Sequence, residues 1–365
     1  GAVAAGVVGA LILATIVVIP INRLVRGVEL IRDTQDKAEL ESHVIDVRTR
    51  DELNTLAETV NSMTQGLVKA AVANKELIVG KEVQKMFIPL EQNSAGNKLT
   101  TGKEEGNDFE FFGYYEGAKG VSGDYYSYEK LDDEHYAVIK CDVAGKGVPA
   151  ALIMVEVATI FLNYFKDWSL KTHGLRLQKL VETTNDLLEA RGFKGRFAAL
   201  TVTIVNVKTG VCRVCNAGDN QMHVYVSQQR KVVQSTLPEA PAAGVFPSFL
   251  VTQGFREVPL KLTSGDIFLL FTDGVEEAKR TFRDKAFRPH IVTAEDLQSG
   301  LYPEEIAEGV GDEEFGIPRI HAVIQAAQNR RKYYLEKIAN PIPNEELAFD
   351  FSSCDPSAET AVLAL

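Results

Sequence analysis

Val121-Ser122-Gly123-Asp124-Tyr125-Tyr126 and Cys141-Asp142-Val143-Ala144-Gly145-Lys146-Gly147 are the two segments whose reading decides the fold of the C-terminal part. Between them, Tyr125 to Leu131 and Tyr136 to Cys141 have strand composition, and Asp132-Asp133-Glu134 supplies a turn. A hairpin centred near Asp133 sets Asp124 opposite Asp142, each nine residues from the centre. Directly opposed side chains of an antiparallel pair lie about 5 Å apart. Two carboxylates at that spacing repel unless a proton or a cation stands between them. The flanking glycines let carbonyls and waters approach closely, and an oxygen-only donor set favours a hard ion such as Mg²⁺ or Mn²⁺. Taken singly, either aspartate reads as an ordinary turn residue; the opposed pair points to a cation.

Outward from this hairpin, Phe109 to Tyr115 is a further strand, and Pro149 opens an apolar helix, Ala150 to Phe165, that covers the sheet. Far downstream, Ile267 to Thr272 is an apolar buried strand that ends at Asp273-Gly274, which offers a third carboxylate as a candidate metal ligand. Asp266, at the start of that strand, reads as a turn residue.

The N-terminal part has another character. Gly1 to Ile21 carries no charge, and about 20 apolar residues span a bilayer as a helix. Arg23 and Arg26 follow and mark the cytosolic side. The run begins without Met and with no charge before it, so residues 1–20 are expected to close a longer membrane region. Ile21, Leu24, Val28 and Ile31, and then Leu53, Leu56, Val60, Met63 and Leu67, keep the a/d spacing of a coiled coil. His43 to Val47 is an extended connector between these seams, and Asp51-Glu52 opens the second helix. Each seam is only about two heptads long, which calls for a partner chain. The helical pattern continues from Leu67 to about Leu90, where Pro89 stops it, and Glu91 to Asn107 reads as a polar loop or linker.

With 365 residues, 45% of them hydrophobic, the chain has material for two or three domains with real cores, which excludes wholesale disorder. A net charge of −11 argues against a nucleic-acid partner. Cys141, Cys212, Cys215 and Cys354 are too few and scattered for a disulfide framework, which fits a reducing compartment. Cys212 and Cys215 lie in one strand-like run, Thr201 to Asn216, and read as core. None of the six histidines pairs at metal spacing; they read as surface or satisfied core residues. Ala144-Gly145-Lys146-Gly147 lacks the upstream Gly and the Ser or Thr of a P-loop.

Two resemblances join these readings. Pro20, the paired seams, Asp51-Glu52-Leu53 and Asn61-Ser62-Met63 resemble a HAMP domain over roughly residues 20 to 68. That implies a parallel dimeric four-helix bundle that passes a membrane signal to an output domain. Ser122-Gly123-Asp124-Tyr125-Tyr126, the Asp142 to Leu152 segment, Asn216-Ala217-Gly218 and the Gly265 to Ala278 segment resemble the SpoIIE-like branch of the metal-dependent (PPM) serine/threonine phosphatases. Glu82 to Pro89 resembles the helical lead-in of that branch.

The second resemblance implies a β-sandwich flanked by helices, with two Mn²⁺ or Mg²⁺ ions at one edge. Asp142 would bridge the ions, the Val143 carbonyl would bind one, Asp273 the other, and Asp124 would act directly or through water. Such ions would lower the pKa of a shared water so that it could attack phosphorus. Substrates in this branch are phosphoserine or phosphothreonine on regulatory proteins, often STAS-domain antagonists.

The chain departs from the family before its last strand. The family has Asp-Asp-x-Thr there, whereas this chain has Ser357-Ala358-Glu359-Thr360 leading into an apolar strand that is expected to complete the domain. Asp355 is the candidate replacement ligand. The stretch from Arg280 to Asn344 is longer than usual and reads as an insertion, and Asp219 replaces a His that often follows Asn-Ala-Gly.

The expected architecture is therefore α+β, with segments at 1–20 (transmembrane helix), 21–68 (HAMP), 69–90 (signalling helix), 91–107 (linker) and 108–365 (phosphatase domain). The expected protein is a homodimer at the cytoplasmic membrane, with its HAMP and phosphatase domains in the cytosol. The alternative is an inactive phosphatase-like domain that binds and sequesters a regulatory partner. A histidine kinase or chemoreceptor is disfavoured, because nothing after Leu90 reads as a phosphoacceptor helix or a long receptor coiled coil.

Overall fold

A computed structural model describes residues 1–117, 120–193, 195–278, 281–283, 289–291, 314–338 and 360–364. The chain divides into two compact units, Gly1–Gly80 and Lys81–Leu365.

In the first unit, α1 (Ala2–Leu13) and α2 (Ile19–Asp33) are joined by a π-helical turn at Ala14–Val18, where the sequence reads as one uninterrupted helix. Gly6–Asp33 is long and apolar enough to cross a membrane by length and composition. A connector with a 3-10 turn at Lys37–Leu40 leads to α3 (Glu52–Lys85). Asp51 caps this helix, since the Leu53 amide donates to its carboxylate at 3.1 Å. Leu24, Ile45, Val47 and Ala57 form a small core, with Ile31, Leu53 and Val60 packed against it. Asn61 holds the connector at both backbone groups of one residue: the Ile45 amide donates to Oδ1 at 2.8 Å, and Nδ2 donates to the Ile45 carbonyl at 3.0 Å. Gly27 makes room for that crossing, because a Cβ there would stand 2.5 Å from the Ile45 side chain. The second seam and the signalling segment are one 34-residue helix, with no break at Leu67.

In the second unit, two antiparallel sheets share one hydrophobic core. The first has the order β1 (Thr101–Glu105), β2 (Glu110–Glu116), β13 (Thr360–Ala364), β10 (Ile267–Phe271), β7 (Gln221–Val226), β8 (Lys231–Thr236). The second runs β3 (Tyr125–Lys130), β4 (His135–Val143), β5 (Ala198–Asn206), β6 (Val211–Ala217), β9 (Glu257–Lys261). A short pair, β11 (Thr281–Arg283) and β12 (Pro289–Ile291), stands apart. Phe111 of β2 stacks on Tyr128 of β3 with ring centroids 5.0 Å apart and meets Tyr136 of β4 at 4.9 Å, so aromatic rings join the sheets face to face.

Helix α4 (Val148–Phe165) buries Ile153, Met154, Val157 and Phe161 in this core. It too is long and apolar enough to cross a membrane, but these core contacts account for its composition. Beyond the short α5 (Leu170–His173), α6 (Gln178–Arg191) adds Leu180, Val181 and Leu188 to the same core. After α7 (Asp273–Glu276), α8 (Gly316–Ile338) lies along the first sheet, with Gln325 accepting from the Val232 amide at 3.2 Å. The architecture is thus mixed α and β.

Two readings of the sequence need correction. Residues 91–107 are more than a linker: Thr101–Glu105 is a strand that pairs along β2, since a polar strand at a sheet edge needs no apolar alternation. Thr201 to Asn216 is a hairpin of two strands, β5 and β6, reversed at Gly210 with φ +70. His223, buried, meets His321 98 residues away with Nδ1 and Nε2 2.8 Å apart, as a satisfied core residue does.

Candidate active site

The β3/β4 register pairs Tyr125 with Cys141 and Lys130 with Tyr136. The Val143 amide donates to the Gly123 carbonyl at 3.3 Å, so the same register continues past the end of β3. Asp124 and Asp142 therefore stand opposite each other at the open end of this ladder. Asp124 is 1% exposed, whereas Asp142 is half-buried. The Asp124 amide donates to Ser122 Oγ at 3.0 Å, which fixes the bend before β3. A Cβ on Gly123 would lie 2.6 Å from the Val143 carbonyl oxygen, so glycine is required where that carbonyl approaches.

The third segment arrives from the other sheet. Thr272, buried at the end of β10, donates its hydroxyl to Asp124 Oδ2 at 2.8 Å. Asp273 follows it, exposed, at the first position of α7. Phe271 pairs with Val362, and two further rungs of that register set Thr360 level with Asp273. Asp355, Ser357 and Ala358 lie outside the described residues, as does most of the 280–344 stretch.

Two opposed carboxylates and a carbonyl held at a glycine form an oxygen-only set that suits a hard divalent ion. Among the described residues, no three Asp, Glu, His or Cys side chains draw together as a metal-holding group, and Asp273 does not close with the pair into one. Glu277 on the next turn has a raised pKa, caused first by the negative charge of Asp273, then by burial and Glu314.

Several residues were missed in the sequence. Lys140, buried next to Cys141, pairs with Asp219 at 2.9 Å, and Thr201 donates its hydroxyl to the same carboxylate oxygen. Burial alone would lower the Lys140 pKa, but Asp219 outweighs it and the net shift is upward. A lysine inside the apolar run Tyr136 to Cys141 was the available signal, because a buried cation requires a partner. Gln84 was also missed; its side chain bonds the Ser122 backbone. Cys212 and Cys215 are buried, and burial pushes both thiols up to about 12, so they remain neutral. Asp266 accepts from the Ser227 and Thr263 amides at 2.8 and 2.9 Å, as a turn residue does.

Residues 132–313 match the family model described as Stage II sporulation protein E (SpoIIE), a span that includes Asp142, Val143 and Asp273. Phosphoserine phosphatase RsbU of Bacillus subtilis is 28% identical over 162 residues, 44% of this chain and 45% of that protein. Protein IcfG of Synechocystis is 24% identical over 233 residues, 58% of this chain and 34% of that protein. The chain thus spans less than half the length of these curated relatives. Among solved structures, the SiaA-PP2C domain of Pseudomonas aeruginosa superimposes with a TM-score of 0.47 at 16% identity, over 81% of this chain and 97% of that one. Over residues 132–313 the chain is thus similar to SpoIIE-type phosphatase domains of the PPM class.

Proposed function

We propose that this chain is a membrane-anchored protein phosphatase that hydrolyses phosphoserine or phosphothreonine on a regulatory protein under the control of a HAMP relay. The observation that carries the hydrolytic part is the opposition of Asp124 and Asp142 at a glycine-lined strand end, fastened to the Asp273 segment by Thr272. Asp124, Asp142 and the Val143 carbonyl, with Asp273 and Asp355, would hold two divalent cations, Mn²⁺ or Mg²⁺. When bound, such ions supply Lewis acidity and a water acidic enough to attack phosphorus. The chain's own part is to hold the opposed carboxylates in place: Thr272 does so for the Asp124 carboxylate, and Ser122 fixes the Asp124 backbone through its amide. The similarity to a phosphoserine phosphatase supports this substrate class, and a STAS-type antagonist in a partner-switching pathway is the kind of protein it would act on.

The relay reading rests on the first unit. Residues 1–20 would cross the membrane, with Arg23 and Arg26 on the cytosolic side, and residues 21–68 would form a HAMP bundle with a second copy. Support comes from the seam: Val28, Leu56, Met63 and Leu67 remain exposed although they are apolar. Helix α3 then continues as the signalling helix toward Gln84.

The test is Mn²⁺-dependent hydrolysis of a phosphoserine peptide by this chain beside Asp142→Asn. Loss of a metal ligand is expected to cost more than the roughly 10–100-fold typical of groups behind the ligands. Deleting residues 1–68 is expected to change the activity or its set point, and unchanged kinetics would remove the relay from the reading. A second reading, an inactive domain that sequesters a partner, is favoured by Ser357-Ala358 and by the lack of a three-ligand cluster among the described residues. Silence of both proteins, with partner binding indifferent to chelator, would select it.

A further inference from the structure

We propose that Arg196 binds the phosphoryl group of the substrate at the metal edge. This inference rests on the hydrolytic reading above and adds a residue to it. The β4/β5 ladder pairs Asp142 with Ala199 and Val143 with Ala198. It continues through the Ala144 amide, which donates to the Phe197 carbonyl at 2.9 Å. The next rung sets Arg196 opposite Gly145, three residues beyond Asp142. A tight turn, with the Arg196 amide donating to the Phe193 carbonyl at 2.8 Å, fixes the backbone there.

The side chain folds back over the Asp142 loop. Nη1 donates to the Ala144 carbonyl at 3.2 Å. A Cβ on Gly145, whose φ is +95, would stand 2.2 Å from that nitrogen, so the loop is built with glycine where the guanidinium lies. Among the described residues Arg196 forms no ion pair, although the chain carries 50 acidic residues. The buried cation one strand over, Lys140, is by contrast neutralised by Asp219. A half-buried guanidinium has five donors, and Ala144 occupies only one of them.

The remaining planar fork suits two oxygens of a phosphate monoester dianion, which Arg recognises bidentately. Its place on the loop that follows Asp142 would let it neutralise charge on the phosphoryl oxygens without providing a metal ligand. The chemistry recognised is thus the phosphate of phosphoserine or phosphothreonine, or the inorganic phosphate released from it.

The test uses the full chain, Arg196→Ala and Arg196→Lys, with thermal melts to confirm folding. Binding of a phosphoserine peptide and its unphosphorylated counterpart is followed by fluorescence anisotropy in the Asp142→Asn background, which removes turnover. Inorganic phosphate inhibition and the Mn²⁺ dependence of hydrolysis are measured in the otherwise unaltered chain. Expected for Arg196→Ala is a roughly tenfold loss of preference for the phosphorylated peptide. Phosphate inhibition should weaken by a similar factor, Mn²⁺ half-saturation should stay unchanged, and Arg196→Lys should recover part of the loss. An unchanged phosphopeptide preference, or a change in Mn²⁺ half-saturation alone, would assign Arg196 to holding the loop and overturn the proposal. A preference that depends on Arg196 in a chain that hydrolyses nothing would keep this proposal and sink the phosphatase reading instead.

Discussion

Gln84 and Ser122 are joined by a two-way hydrogen bond: the Ser122 amide donates to Gln84 Oε1 at 3.0 Å, and Gln84 Nε2 donates to the Ser122 carbonyl. Gln84 lies in the last turn of α3 and is buried, while Ser122 holds the Asp124 amide through its hydroxyl. The end of a long helix is thereby tied to the bend that carries the buried carboxylate. Replacing Gln84 by Ala leaves the Ser122 N–H and C=O without partners, at about 1–3 kcal/mol for each buried group. We expect Gln84→Ala to lower the urea midpoint and raise the Mn²⁺ concentration for half-maximal hydrolysis, with Gln84→Glu keeping one bond and falling between. A stability loss with unaltered Mn²⁺ dependence would show that the tie holds the helix but does not serve the site.

Thr272 tests the other restraint on Asp124. Thr272→Val keeps the shape and removes the donor, so a buried carboxylate oxygen loses a 2.8 Å bond. The expected cost is about 1.5–3 kcal/mol, the range for hydrogen bonds to charged groups. Thr272→Ser should restore most of it. Equal stability of the Val and Thr forms by denaturant unfolding would mean that this bond contributes nothing net.

Lys140 and Asp219 form a buried pair, so removing one partner costs far more than removing both. Lys140→Met and Asp219→Leu are each expected to destabilise by about 3–5 kcal/mol, and the double variant by much less. A double-mutant cycle on unfolding free energies checks this. Additive losses would count against a direct coupling across the 2.9 Å contact.

How much of this was legible beforehand depended on whether a feature is local. The Asp124/Asp142 opposition followed from counting along one hairpin, because a tight turn leaves the register little choice. Strand β1 did not follow, since Thr101–Glu105 is polar and gains its conformation from pairing with β2. The ties at Thr272, Gln84 and Asp219 span 148, 38 and 79 residues and leave no periodic trace. Lys140 alone gave a warning, as a cation inside an apolar strand.

The His223–His321 pair predicts a pH dependence of stability. Burial first, and then the neighbouring His321, lowers the His223 pKa to about 4, and burial lowers that of His321 as well. Asp219 opposes this shift on His223 and Lys140 adds to it. In the unfolded chain a histidine titrates near 6.5. Between these values the unfolded state binds more protons, so stability is fully present above about 6.5 and is lost as pH falls toward 4. His223 alone should contribute about 1–2 kcal/mol of loss between pH 7.5 and pH 5. His223→Gln should be weaker at pH 7.5 yet show a shallower slope below it. Parallel slopes for the two proteins would sink this assignment.

The seam of the first unit makes the last prediction, because its two halves have different fates. Leu24, Ile31, Leu53 and Val60 pack within the chain. Leu56 and Met63, on the same helical repeat, stay 50% and 63% exposed. Burying such a side chain against a second copy gains about 1.5–3 kcal/mol, so a charge at either position should split a dimer. Leu56→Glu and Met63→Glu are expected to shift the chain from dimer to monomer in detergent by sedimentation analysis. In a parallel bundle identical residues of the seam approach each other across the axis. Met63→Cys should therefore form an intermolecular disulfide on mild oxidation when the two copies bring these Cα atoms within the ~4.4–6.8 Å that a bridge needs. A cysteine at exposed Glu58, off the seam, should remain reduced under the same conditions. Equal crosslinking at both positions would reflect random collision, and monomeric behaviour of the unaltered chain would remove the HAMP dimer from the proposed function.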